Sequence, residues 1–251
     1  MSSTPEWPVA FFDEDYLTIY RPMFSEEVTT RETEFIESAL ALHAGSKLLD
    51  LACGFGRHAI GMARRGYQVT GLDFNAGYLK IAEAVSREAG LRVHWQHGDM
   101  RTLPFEGEFD AAYSYFTSFG YFSDDENEKV IEGIARALRP GGRFLIDVIN
   151  RDWILTHPTH RVWNQRDDGS LLMEETSFDL RYSRVIARQI HLTPDGAKRL
   201  EKSYVVRAYT CAELDAMLHR HGLETREAWG GIERSELTTE SRRLVLLAER
   251  A

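Results

Sequence analysis

The 251-residue chain is poor in cysteine, with only Cys53 and Cys211. Cys53 sits in a glycine turn, so a disulfide framework is excluded and a reducing compartment fits. No apolar run approaches the ~20 residues of a membrane-spanning helix, so no membrane partner is expected. The opening residues, MSSTPEWP, lack both a basic region and an apolar core and do not read as a signal peptide. A cytoplasmic protein is the expectation. Positive charge is also scarce: 30 Lys and Arg stand against 39 Asp and Glu, a net charge of −9. A surface of that sign does not suit a phosphate backbone, so no nucleic-acid partner is expected. Internal repeats and low-complexity tracts are absent. What is present is ordinary for a globular protein, 43% hydrophobic and 27% charged. A chain of this length buries one large core, or a core with an inserted subdomain. Both a monomer and a homodimer are compatible with it.

The stretch from Lys47 to Ala82 organises the rest. Leu48, Leu49 and Leu51 form a short apolar run that predicts a buried parallel strand. It stops at a small-residue turn containing Ala52, Gly54 and Gly56. A helix then starts near Arg57, buries Ala59, Ile60 and Ala63, and ends at Gly66. Val69 to Leu72 is the next strand, with Asp73 at its tip. A strand, glycine turn, helix, strand and acid in this order bind a nucleoside in doubly wound folds.

Gly54-x-Gly56-x-x-Ala59 also fits the dinucleotide fingerprint, and charge weighs between the two uses. A pyrophosphate at the helix N-terminus is an anion. Asp50, ending the strand just before the turn, would repel it and attract an ammonium or sulfonium group. S-adenosylmethionine (SAM) carries both cations and no phosphate. Asp73 follows Gly54 by 19 residues, a suitable distance for an acid that accepts from ribose hydroxyls. A purely structural βαβ unit and a nicotinamide-dependent oxidoreductase remain as alternatives.

At these residues the chain resembles class I SAM-dependent methyltransferases. Asp50-Leu-Ala-Cys-Gly-Phe-Gly56 is similar to the family's first motif and Gly71-Leu-Asp73 to its second. Ala52 stands where the family often has glycine. Gly98-Asp99-Met100 after the third strand (Arg92 to His97) resembles the third motif. The resemblance implies a turn at the methionine moiety, Asp73 on the ribose with Phe74 beside it, Asp99 on the adenine amino group and Met100 on its ring. It also implies a Rossmann-like seven-stranded sheet in the order 3-2-1-4-5-7-6, with only the seventh strand antiparallel.

The segment from Trp7 to Phe24 is rich in aromatics and resembles a lid that closes over the cofactor, with Tyr20 as the closing residue. Thr30 to Leu42 predicts an amphipathic helix. Its Arg31-Glu-Thr-Glu-Phe35 is similar to the start of the equivalent helix in glycine N-methyltransferase, which implies Arg31 as the partner of the SAM carboxylate. Asn75 predicts a cap for a helix running to Ala89. Tyr115 and Phe116 open the peptide Tyr115-Phe-Thr-Ser-Phe-Gly-Tyr121-Phe, after a strand from Phe109. This peptide is similar to one in small-molecule N-methyltransferases of the amino-sugar type. Those can have histidine where this chain has Tyr121. The resemblance therefore implies a small-molecule acceptor, nitrogen before oxygen or carbon, with Tyr20 and Tyr121 orienting it. Proton removal by Tyr121 is the weaker option, because the reference pKa of tyrosine is about 10. No Asn/Asp-Pro-Pro-Tyr/Phe sequence of nucleic-acid and glutamine N-methyltransferases occurs.

A helix from Glu126 to Leu138 precedes Arg-Pro-Gly-Gly and a strand from Phe144 to Val148. From Asn150 to Tyr209 the pattern changes to period two, which predicts an antiparallel insert of four strands. His157-x-x-His160 lies there without a helical frame or third ligand, so no metal is expected. Thr210 caps a last helix, and Leu223 to Trp229 and Arg243 to Ala248 are the last strands. The expected organisation is a lid and helix at 1–46, a SAM-binding core at 47–149 and 210–251, and the insert at 150–209. The insert would roof the substrate pocket or dimerise. A SAM-binding protein without transferase activity is the remaining alternative.

Overall fold

The computed structural model describes residues 10–158 and 161–251. Trp7 and His160, both singled out above, lie outside the described residues. Among those described, no helix is long and apolar enough to cross a membrane.

The chain enters through helix α1 (Glu14–Tyr20) and then α2 (Glu26–Leu40). Ser25 accepts the Val28 N–H at 3.2 Å, so α2 starts a turn before the expected Thr30. Strand β1 (Lys47–Leu51) follows, and its side chains from Leu48 on are all buried. Burial on both faces is what a central parallel strand requires. Helix α3 (Arg57–Arg64), β2 (Gln68–Asp73), α4 (Ala76–Glu88), β3 (His94–His97) and β4 (Phe109–Ser114) complete the first half. Asn75 caps α4 as expected, accepting from the Gly77 and Tyr78 N–H groups. Then come α5 (Asp124–Ala137) and β5 (Leu138–Ile149).

Here the chain leaves the sheet. A short helix, α6 (Arg151–Thr156), leads to β6 (Arg161–Gln165), β7 (Leu171–Asp179), β8 (Arg184–Leu192) and β9 (Arg199–Arg207). These four pair antiparallel into a separate sheet. Helix α6 was not expected, because six residues are too few to show a helical period among strands. The chain returns through α7 (Cys211–Arg220), β10 (Leu223–Trp229) and β11 (Arg243–Arg250).

The large sheet has the order β10-β11-β5-β4-β1-β2-β3. Strand β11 is antiparallel to both of its neighbours, and the other pairs are parallel. This is the expected Rossmann-like topology. One buried cluster packs α5 and α7 on the sheet through Val130, Ile134, Leu214 and Leu218. The other packs α2 and α3 through Ile36, Leu40, Ala59 and Met62.

The turn between β1 and α3 is set by close packing. Gly56 has φ +80°, and a Cβ there would lie 2.8 Å from the Ala82 Cβ and closer still to the Trp95 ring. Glycine is therefore needed for both conformation and space. Gly56→Ala is expected to destabilise the fold by about 2–4 kcal/mol, from overpacking and left-handed strain together. Urea unfolding of the variant checks this; an unchanged midpoint would show that Trp95 can move aside.

Candidate active site

Strands β1, β2, β4 and β5 end at one edge of the sheet, and the insert sheet faces that edge. A cavity of about 760 Å³ lies between them. Asp50, Ala52 and Gly54 from the first turn line it, with Asp73 and Phe74 after β2 and Met100 after β3. Tyr115 and Phe116 after β4 line it too. Tyr16 and Tyr20 of α1 form another wall, their rings stacked 4.4 Å apart. Tyr121 closes against Phe12, ring centres 5.2 Å apart.

Asp50 is 3% exposed, and its Oδ2 has no hydrogen-bond partner. Burial pushes this carboxyl up to about 7, against the opposing pull of Tyr113 and Arg57. Asp73 accepts the Gly54 N–H on Oδ2 and the Asn75 N–H on Oδ1, each at 2.8 Å. Burial raises its pKa as well, and those hydrogen bonds oppose the rise. The carboxylate so held ties the glycine turn to the tip of β2. Ala52 has φ 58°, a left-handed conformation that suits glycine, so the departure from the family costs backbone strain rather than space. Phe116 and Thr117 are left-handed too, at 63° and 55°. The Phe116 N–H donates to Asp147 Oδ2 at 2.8 Å, and Asp147 is paired with Arg243. Such strain held in place beside a cavity marks a loop that presents groups to a ligand.

Three residues expected at the cofactor, Arg31, Asp99 and Gly56, lie outside the cavity lining. Arg31 lies outside the cavity lining, its side chain 56% exposed and paired with Glu233 at 2.6 Å. Its place on α2 turns it to the surface. Asp99 is absent from the lining as well. Its carboxylate accepts the Arg101 N–H at 2.8 Å and the Arg101 guanidinium at 2.6 Å. Burial alone would raise the Asp99 pKa; the bonds from Arg101 outweigh it and hold the group below the usual carboxylate range. Gly56 shapes the turn from outside the lining.

The sequence reading missed Arg57. It opens α3 immediately after the turn and lines the cavity, its side chain only 10% exposed. Nη1 pairs with Glu32, and the guanidinium carbon lies 4.6 Å from the Phe24 ring centre. Nη2 is buried with no partner. His58 Nε2 meets the same Glu32 carboxylate at 3.0 Å, and burial lowers its pKa to about 4, so it is neutral at pH 7. An arginine next to a glycine turn was the available signal, but its burial depends on α2.

Tyr20 and Tyr121 both face the cavity. The Tyr20 hydroxyl donates to Gln189 Oε1 at 2.8 Å. Burial, the main cause in both, raises each phenol above its ordinary range. Neither is thereby prepared to act as a base. Among the described residues no group of His, Cys, Asp and Glu is arranged to hold a metal ion.

Residues 48–142 match the family model described as "Methyltransferase domain". Residues 48–142 thus carry a methyltransferase domain. Over its length the chain is similar to the "Putative methyltransferase YqeM" of Bacillus subtilis, 24% identical, covering 94% of this chain and 96% of that protein. The methyltransferase also aligns with a ubiquinone biosynthesis O-methyltransferase of Idiomarina loihiensis, 32% identical over 48% of this chain and 51% of that one. It thus spans about half the length of that relative. In fold it is similar to SAM-bound CalS10, an amino pentose methyltransferase from Micromonospora echinaspora. That likeness has a TM-score of 0.67 at 23% identity, covering 95% and 98% of the two chains.

Proposed function

We propose that this methyltransferase transfers the methyl group of SAM to a nitrogen atom of a small-molecule acceptor. The observation that carries the cofactor reading is a pair of opposite charges in one cavity. Asp50 Oδ2 and Arg57 Nη2 are both buried and both without partners. An amino acid end supplies an ammonium for the first and a carboxylate for the second. A pyrophosphate satisfies only the arginine and is repelled by the aspartate. Arg57 thus takes the role first expected of Arg31. Asp73 accepts from the ribose hydroxyls, and Phe74 and Met100 pack on the adenine. The carboxylate of Asp99 is committed to Arg101 and is left out of the adenine contact.

Bound SAM supplies an already electrophilic methyl, so the protein has no electrophile to create. Its residues hold the acceptor in line, about 3–3.5 Å from the carbon, and exclude water. The Tyr16, Tyr20 and Phe12 wall does the excluding. Tyr20 and Tyr121 orient the acceptor as neutral phenols. The raised pKa of each argues against proton abstraction, and a neutral amine needs none before attack. The amino-sugar-like peptide from Tyr115 to Phe122 supports nitrogen. The O-methyltransferase relative keeps oxygen as the comparison to be tested.

Removing the Asp73 carboxylate takes hydrogen bonds from a desolvated site. Asp73→Ala is expected to weaken SAM binding by about 1.5–3 kcal/mol. Titration calorimetry with SAM and, separately, NAD reads this directly. Unchanged SAM affinity in the variant, or tighter binding of NAD than of SAM by the parent, would overturn the proposal.

A further inference from the structure

The insert sheet presents one row of side chains to the core. Pairing aligns Val162 with Glu174, Glu174 with Gln189 and Gln189 with Lys202. Lys202, at one end, is neutralised by Asp13 of the segment before α1. Glu174, near the other end, has no such partner. Among the described residues no Lys, Arg or His lies within ion-pair distance of its carboxylate. Among the described residues, its carboxylate accepts from Gln189 Nε2, and the Tyr20 hydroxyl holds Gln189 in place through Oε1 at 2.8 Å.

Glu174, Gln189, Tyr20 and Tyr204 all line the cavity. The Glu174 charge acts on both tyrosines behind the larger effect of burial, opposed by Arg166 at Tyr20 and by Arg242 at Tyr204, neither of them within ion-pair distance of Glu174. The other acids of the cavity have defined uses: Asp50 is assigned to the ammonium of SAM, and Asp73 binds the turn. Among the described residues, the remaining cavity arginines make no ion pair with Glu174. Arg243 is paired with Asp147, and Arg242 lies over the Trp153 ring, 5.4 Å from its centre. A carboxylate with no ion-pair partner, in a cavity lined by tyrosines, is a surface for an ammonium group.

We propose that Glu174 is the acceptor-recognition residue, selecting a molecule that bears a basic amine, with Gln189 as the positioning residue that fixes it against Tyr20. This rests on the methyl-transfer reading and names its substrate class. The charge balance of the reaction favours the same choice. The bound ammonium first gives a proton to water; the amine lone pair so freed forms the N–C bond as the C–S bond breaks and its electron pair stays on sulfur. Positive charge therefore moves from sulfur to nitrogen, and the proton leaves afterwards to water. A carboxylate near the nitrogen stabilises that charge as it forms. An ionised phenol or enol would meet repulsion from the same group.

The test uses benzylammonium and its neutral isostere, benzyl alcohol, as probes. Ligand-observed NMR measures the binding of each to the full chain, with and without S-adenosylhomocysteine. The parent is expected to bind benzylammonium about tenfold more tightly than the alcohol, the ratio that one modest charge interaction provides. In Glu174→Gln, which keeps the shape, the two probes should bind within about twofold of each other. Glu174→Asp should restore part of the preference. Affinity for S-adenosylhomocysteine, read by calorimetry, should be the same in all three, which also reports that each variant is folded. No preference in the parent, no binding of either probe, or a preference that survives Glu174→Gln overturns the proposal. Loss of S-adenosylhomocysteine binding in the parent would instead refute the cofactor reading, and the probe ratio would still be measurable.

Discussion

Asp50→Asn is expected to stabilise the free methyltransferase and abolish its SAM binding. The two effects have opposite signs and one cause. In the folded chain the carboxyl titrates at about 7, against a reference of 3.8. Between those values the folded state holds a proton that the unfolded state has released. Stability therefore falls as pH rises through this window, and the loss is complete above about pH 7. The shift corresponds to about 4 kcal/mol. Asparagine fills the same space without a charge and avoids the loss. Thermal melts at pH 5 and pH 8 should show the parent losing stability between them while the variant changes less. SAM added at pH 8 should reverse the ranking, because its ammonium compensates the Asp50 charge and only the parent gains. Parallel pH profiles for parent and variant would mean that Asp50 is already compensated in the free chain. Equal stabilisation of both by SAM would remove the ammonium contact.

The elements were legible where a local pattern decides them. Three leucines, a glycine turn and an acid after the next strand were enough to place β1, α3 and β2. Alternation at period two located β6 to β9, because a sheet with one covered face must alternate. Asn75 announced its helix through a side chain that reaches its own backbone. Side-chain partnerships were not legible, since they depend on neighbours far along the chain. Arg31 and Arg57 look alike in sequence. One is drawn to the surface by Glu233, the other inward by Glu32, and neither pairing has a local signature. Asp99 matched its motif, but Arg101 two residues on occupies the carboxylate. Glu174 and Gln189 meet only through the register of β7 and β8, and a single residue of slip would turn both away. The left-handed φ of Ala52 likewise belongs to the turn as folded and leaves no mark on composition.

The arginine assignment gives the second large effect. Arg57→Met is expected to lower stability by about 3–5 kcal/mol, because Glu32 is left as a buried charge beside a neutral His58. SAM affinity should fall at least about a hundredfold with the loss of the carboxylate partner. A single variant could lose binding merely by loosening the turn, so Arg57→Lys separates the two. Lysine retains the charge for Glu32 but lacks the second donor that Nη2 provides. It should recover most of the stability in urea unfolding and little of the SAM affinity in calorimetry. Arg31→Ala provides the contrast. An exposed pair contributes about 0.2–1 kcal/mol at most, so both measurements should stay close to those of the parent. If Arg31→Ala weakened SAM binding while Arg57→Lys did not, the carboxylate would have to be bound from α2. The cavity would then have to close further than it does here, bringing Arg31 off Glu233 and over the glycine turn.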